Sequence, residues 1–310
     1  MSFNTSPRRP ITQSDRDSYL ADGVVCLRDV FDPDWMSYLN PVARRIAVDG
    51  EDIGLLPNNP GRYMSRVSPE FRRFIFESPV AQAAAEVMGS KEVRFFFDEM
   101  FAKGPRSTEK TIWHTDRMGW PVAGLMVPSL WIPLDGVKAE NCLECVAGTH
   151  SQEVPYWLFS PNARKMVRPP DRVNHPDGAA LRADPSNRFL QWDMAPGDML
   201  VVHPRTVHYS HGNTAEDWRI ALSVRVFGDD IVWAPRPDCV NLAGVSFDEM
   251  IPGEPPAGPL FPLLWSESGK RDGDATFPRG FSTEWRKGRR KDVNEYELFA
   301  QLSEQRKRSS

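Results

Sequence analysis

His114 and Asp116 stand two residues apart in the stretch Trp113-His114-Thr115-Asp116. On an extended segment, residues i and i+2 project from the same face, so an imidazole nitrogen and a carboxylate oxygen can meet one metal ion. A third ligand from far along the chain, His208, completes a two-His, one-carboxylate face and leaves three positions open. That arrangement suits a non-haem Fe(II) that must also hold a cosubstrate and O2. His203 and His208 fall near one predicted strand pair, and only one of them can be the third ligand. His208 lies eleven residues before Arg219, with Gly212-Asn213 and Glu216-Asp217 to turn the chain into the next strand.

That next strand places Arg219, Ala221, Ser223 and Arg225 on one face and Ile220, Leu222, Val224 and Val226 on the other. The apolar face packs against the core, and the polar face can line a barrel interior. An inward arginine is costly unless paired with an anion, and a planar guanidinium matches a carboxylate bidentately. Ser210, two past His208, can donate a hydroxyl to the same carboxylate.

The elements that must hold these groups follow from patterning. Residues 1–11 read as a flexible tail. A helix is expected over Thr12–Ala21, capped by Thr12 or Ser14 and stopped at Asp22-Gly23, then a short strand over Val24–Arg28. Asp32-Pro33 opens a second helix to about Val48, and Ser78-Pro79 opens another that ends at Gly89. Residues 12–90 are thus mostly helical. Strands are expected at Val93–Phe101, Thr108–His114, Leu125–Leu134, Cys142–Val146, Phe189–Met194, Asp198–His203, Val207–Ser210 and Arg219–Phe227.

Helices followed by a run of strands indicate α+β, with a β-sandwich or barrel over about 91–230. Ser151–Asp184, with the basic cluster Arg164, Lys165 and Arg168, reads as a lid-like insertion. A proline-rich arm over 231–284 wraps the surface and closes a single domain, 12–284. A basic tail over 285–310 surrounds an amphipathic Tyr296–Leu302.

With 40% hydrophobic residues, 10 Trp and 17 Phe in 310 residues, the chain can build a sizeable core. A net charge of −4 argues against nucleic-acid binding. No apolar run is long enough to span a membrane, and Met1–Gln13 has no secretory character. Four cysteines are too few for a disulfide scaffold, so free thiols in a cytoplasmic protein are expected. A monomer or homodimer acting on a small molecule fits this composition.

Six blocks carry a resemblance in their order and spacing. They are Trp113–Asp116, Leu130–Asp135, Asn141–His150, Pro196–Asp198, His203–His208 and Trp218–Ser223. Together they resemble the phytanoyl-CoA dioxygenase family of Fe(II)/2-oxoglutarate-dependent oxygenases. The resemblance implies a double-stranded β-helix (jelly-roll, cupin-like) core with the N-terminal helices packed on it. It implies iron on His114, Asp116 and His208, and Arg219 on the far carboxylate of 2-oxoglutarate, the cosubstrate used with O2. Trp131, by similarity, lies against that cosubstrate, and Met100 is a further candidate for the same wall. Halogenases of this superfamily lack the carboxylate, so Asp116 favours a hydroxylase. The expected reaction is hydroxylation of an aliphatic C–H with release of succinate and CO2.

Blander readings stand beside each piece. A His-x-Asp in isolation is more often a hydrogen-bonded pair than a metal site. His203 reads as structural, His211 as a surface residue and His150 as a hydrogen-bonding loop residue. Arg225 is either a second basic group for a substrate acid or an internal ion pair. Cys142-x-x-Cys145 resembles half a zinc site or a redox pair, but i and i+3 on a strand face opposite ways. Phe97, Trp120 and Trp157 are candidate walls. Two other classes remain open: a non-catalytic metal- or ligand-binding cupin-like protein, and a zinc-type hydrolase.

Overall fold

The frame is two antiparallel sheets whose two longest strands, 92–103 and 219–227, are rich in aromatic and β-branched residues. The computed structural model describes residues 3–55, 61–157, 170–236, 239, 242 and 250–281. The larger sheet runs in the order β1 (Val24–Leu27), β8 (Met199–Val202), β5 (Ser129–Pro133), β10 (Arg219–Phe227), β2 (Glu92–Lys103) and β12 (Leu263–Ser266). The smaller runs β3 (Thr111–His114), β9 (His208–Ser210), β6 (Leu143–Val146) and β7 (Phe189–Leu190). A separate pair joins β4 (Val122–Ala123) to β11 (Val232–Trp233).

Register decides which side chains meet. On β10 and β2, Arg219 pairs with Lys103, Ala221 with Phe101, Ser223 with Glu99 and Arg225 with Phe97. On the other side of β10, Ser223 pairs with Trp131 and Arg225 with Ser129. Paired residues share a face, so these side chains form one inner surface. The outer surface carries Ile220, Leu222, Val224, Leu130 and Ile132, which pack with Leu39, Phe71, Phe74 and Ala84 of the helices. Burying each such large apolar side chain stabilises the fold by about 1.5–3 kcal/mol. The inner surface meets the smaller sheet, where Trp131, Leu200, Val202 and Ala221 cluster with Cys142 and Cys145. This is an α+β, jelly-roll architecture with helices layered on one outer face.

The helices begin and end where side-chain chemistry dictates. Thr12 accepts from the Asp15 amide, and Asp15 accepts in return from the Thr12 amide, closing a capping box for α1 (Gln13–Asp22). Gly23, at φ 75°, takes the left-handed turn that stops it. Asp32 caps α2 (Pro33–Ala47), with Pro33 in its first turn. Two helices that patterning left unassigned follow, α3 (Met64–Val67) and α4 (Pro69–Glu77), before α5 (Val80–Met88).

Three expectations need correction. The segment expected as a flexible tail is docked from Phe3 onward. Its ring lies 4.4 Å from that of Trp35, Asn4 donates to the Val30 carbonyl at 2.9 Å, and Ile11 is buried. The arm expected to wrap the surface supplies β12 to the edge of β2, and Phe277 enters the helix-side core beside Phe95. Sequence patterning missed both because short apolar runs between prolines carry no clear period. Met100 is the third, and concerns the site. The insertion contributes α6 (Gly178–Ala183). The cluster Arg164, Lys165 and Arg168 and the basic tail over 285–310 lie outside the described residues.

Candidate active site

β3 ends at His114, Thr115 stays extended, and Asp116 opens a short 3-10 turn, so both ligand candidates leave the same side. β9 lies directly beside β3 with His208 opposite His114. The two imidazole centroids are 4.2 Å apart. His114 Nε2 is 3.8 Å from Asp116 Oδ1, and His208 Nε2 is 4.0 Å from Asp116 Oδ2. One donor atom from each residue falls within 4.8 Å of the others.

Each imidazole is oriented through its other nitrogen. His114 Nδ1 lies 2.7 Å from the Ile112 carbonyl and His208 Nδ1 2.9 Å from the Thr206 carbonyl. A carbonyl there fixes the proton on Nδ1 and turns the Nε2 lone pair to the shared centre. Burial, reinforced by His208, pushes His114 down to about 4, so it is a neutral ligand at pH 7. Burial acts to raise Asp116, but His208, Arg225 and His114, with a hydrogen bond from Ser129, outweigh it and hold the carboxylate below its usual range. A neutral imidazole such as His114 and an ionised carboxylate such as Asp116 are donors that a divalent iron takes.

At the other end of the interior, Arg219 is buried and its Nη1 donates to the Asn141 carbonyl at 2.7 Å and to Ser210 Oγ at 3.0 Å. Its Nε is enclosed without an acceptor. Burial pulls its pKa down to about 10, and no carboxylate offsets this. Beside it Lys103 donates to Ser210 Oγ at 3.2 Å and to the His211 carbonyl at 2.6 Å. Burial, then Arg219, lowers Lys103 to about 8. Two buried cations sharing one hydroxyl call for an anion, and the distal carboxylate of 2-oxoglutarate fits that demand. The Trp131 ring lies 6.0 Å from the Arg219 guanidinium, on the same inner face.

The structure therefore gathers His114, Asp116 and His208 at one point, and Arg219, Ser210 and Trp131 at another. It does not bring Met100 to either. Met100 pairs with Leu222 on the outer face and packs under the helices. It lies one residue out of phase with Phe101 and Glu99, which do face inward, and the aromatic run Phe95–Phe97 masked that phase.

Of the two readings of Arg225, the internal ion pair holds. It donates to Glu99 Oε2 at 3.2 Å and to Ser129 Oγ at 3.3 Å, and Ser129 donates to Asp116 Oδ2 at 2.5 Å. Phe97 forms the platform under Arg225, at 4.8 Å, and packs with Trp120. Trp157 is buried and donates its amide to the Val173 carbonyl. His203 is buried between Tyr19 and His150. His150 meets the Leu20 carbonyl, and His211 is held by Glu144 at 3.2 Å. Cys142 and Cys145 enter one cluster, because Cys142 ends a 3-10 turn rather than lying on β6. Sequence reasoning missed Lys103, Glu99 and Ser129. Counting in twos from Phe97 and Trp131 would have placed all three on the inner face.

A jelly roll with a two-His, one-carboxylate face and a buried arginine defines the architecture of non-haem iron oxygenases. Residues 19–221 match the family described as phytanoyl-CoA dioxygenase (PhyH), and the chain belongs to that family. A phytanoyl-CoA dioxygenase domain-containing protein 1 homolog from Caenorhabditis briggsae is 23% identical over 174 residues, covering 54% of this chain and 58% of that protein. The match thus spans little more than half of that relative. Among solved structures, the non-haem α-ketoglutarate-dependent carbocyclase SnoK from nogalamycin biosynthesis is similar with a TM-score of 0.63 and 22% identity, over 84% of this chain and all (100%) of that one. The epimerase SnoN, in complex with Fe3+, α-ketoglutarate and nogalamycin RO, is similar with a TM-score of 0.62 and 22% identity, over 82% of this chain and 98% of that one.

Proposed function

We propose that the protein is a non-haem Fe(II)/2-oxoglutarate-dependent dioxygenase that hydroxylates an aliphatic C–H of a small organic substrate. His114, Asp116 and His208 hold the iron, and Arg219 with Ser210 and Lys103 orients the cosubstrate's distal carboxylate, with Trp131 beside it. Bound there, iron with 2-oxoglutarate and O2 supplies the oxidising power, releasing succinate and CO2. The chain's own part is positioning and exclusion of water by the aromatic walls Phe97 and Trp120. The observation that carries this reading is the buried Arg219–Lys103 pair, which shares the interior with the metal face: among the described residues no carboxylate offsets the burial of Arg219, and the charge that attracts Lys103 is that of the exposed Glu109. A zinc hydrolase would leave that pair without a use. None of the described helices is long and apolar enough to cross a membrane. A cytoplasmic setting fits the four free thiols.

The test is succinate release from iron-loaded protein with 2-oxoglutarate and O2, screened against a metabolite panel with mass detection of one added oxygen. Succinate formation, even uncoupled, is expected. Its complete absence in protein shown to bind Fe(II) would leave the non-catalytic binding module as the better reading.

A further inference from the structure

A second group of cations gathers at the foot of the insertion, on the side of the barrel that carries the metal face. Arg117 follows Asp116 in the 3-10 turn 116–119, Arg205 lies in the turn between β8 and β9, and Arg236 follows β11. The Arg117 amide donates to the Pro204 carbonyl at 2.8 Å, which ties the two turns together. Arg236 Nη2 is engaged with the backbone, donating to the carbonyls of Arg117, Met118 and Trp120 at 3.2, 3.3 and 2.8 Å.

Arg117 and Arg205 are less well served. Arg117 Nε and Nη1 and Arg205 Nε are all enclosed, and none meets an acceptor. The carboxylate that faces them is Glu153, whose side chain is 71% exposed and lies 2.9 Å from Arg205 Nη2. After burial, the charges acting on Arg117 are Arg236 and Arg205, which repel it, and Glu153, which attracts it. Among the described residues, Arg117 and Arg205 thus meet one exposed carboxylate. Enclosed donors without acceptors are destabilising, the more so when charged, and such a cluster persists where a ligand supplies the oxygens. The Arg225 pair differs, since Glu99 already answers it.

We propose that Arg117 and Arg205 bind an oxyanion, a carboxylate or a phosphoryl group, carried by the substrate, and that Glu153 is the internal carboxylate this group displaces. Guanidinium forks match either oxyanion in a planar, two-pronged geometry. Arg117 adjoins Asp116 in the chain and Arg205 precedes His208 by three residues, so an anion held there fixes the rest of the substrate relative to two metal ligands. That the ligand is the substrate rests on the oxygenase reading, whereas the anion site itself does not.

The experiment is calorimetric titration of phenyl phosphate and, separately, benzoate into protein loaded with Fe(II) and saturated with 2-oxoglutarate, without O2. Saturation keeps the Arg219 end occupied. Binding of at least one probe is expected, and the probe preferred tells phosphoryl from carboxylate. Arg117→Gln and Arg205→Gln should each weaken it tenfold or more, and Glu153→Gln should tighten it. If Arg117→Gln does not fold, Arg205→Gln, on a turn, carries the test. Failure of both probes to bind, or affinity unmoved by the arginine substitutions, overturns the site. Affinity unmoved or weakened in Glu153→Gln removes the displacement by Glu153. A failed oxygenase reading would show instead as no succinate from the unaltered protein, whatever the probes do.

Discussion

Ser129 couples the two sheets at the metal face. Its hydroxyl donates to Asp116 Oδ2 and accepts from Arg225, which Glu99 in turn holds. This chain fixes the rotation of the carboxylate, and outer partners of metal ligands typically matter by roughly 10–100-fold in affinity. Ser129→Ala should therefore weaken Fe(II) or Co(II) binding by about tenfold, with the thermal midpoint nearly unchanged and Ser129→Thr restoring it. A titration showing parental affinity would end that role. Asp116→Ala should abolish succinate release from 2-oxoglutarate in a protein that still melts cooperatively, and full turnover would make the ligand assignment wrong. Arg219→Ala removes one side of a buried charge-assisted contact, on the order of 2–5 kcal/mol, so the 2-oxoglutarate requirement should rise steeply. An unchanged requirement would remove Arg219 from the cosubstrate. His114, Asp116 and Arg219 were legible from spacing because i, i+2 logic needs one strand only. Ser129 and Lys103 could be reached only by counting in twos from Trp131 and Phe97, and which side chains they meet is set by pairing with other strands.

At the scale of elements, the smaller sheet is braced from outside by α6. Glu144, buried on β6, is held by Arg182 of α6 and by His211. Trp113, one residue before His114, stacks on Tyr209 with centroids 5.0 Å apart. Gly178, the first residue of α6, touches that indole so closely that an added Cβ would stand 2.5 Å from Trp113 Nε1. The ring is held by its stacking on Tyr209 and by an edge contact with Phe189. Gly178→Ala should thus unseat the start of α6, at about 1–3 kcal/mol for overpacking. Faster proteolysis within the insertion and a shifted tryptophan emission would report this; parental cleavage rates would mean the helix finds another seat. Here the sequence was only partly readable. It marked an insertion from its polar, proline-rich composition, but docking by one small residue against one aromatic ring has no periodic signature.

For the whole molecule, the order of helices and strands was enough to predict the layers, because capping residues and strand alternation are local. Closure was not readable: which strand becomes the sheet edge, and how the N-terminal segment seals Trp35, depend on contacts between distant residues. Those long-range contacts also create buried titratable groups. His203 lies between Tyr19 and His150, and its Nδ1 accepts from the Arg205 amide at 3.2 Å, a bond that only the neutral ring can make. Burial, then His150 and Arg205, depresses it to about 3, against an ordinary value near 6.5. On acidification the unfolded chain takes up this proton first, so the folded state loses stability as pH falls from about 6.5 toward 3 and keeps it fully above 6.5. At pH 5 the loss from this one group is about 2 kcal/mol relative to pH 7. His203→Gln, which titrates in neither state, should show a correspondingly shallower fall in the urea midpoint between pH 7 and pH 5. His114 and the other buried groups contribute equally to both proteins and cancel in the comparison. Parallel losses in the two proteins would mean that His203 takes up its proton within the native fold, and that the pocket around it yields to the charge.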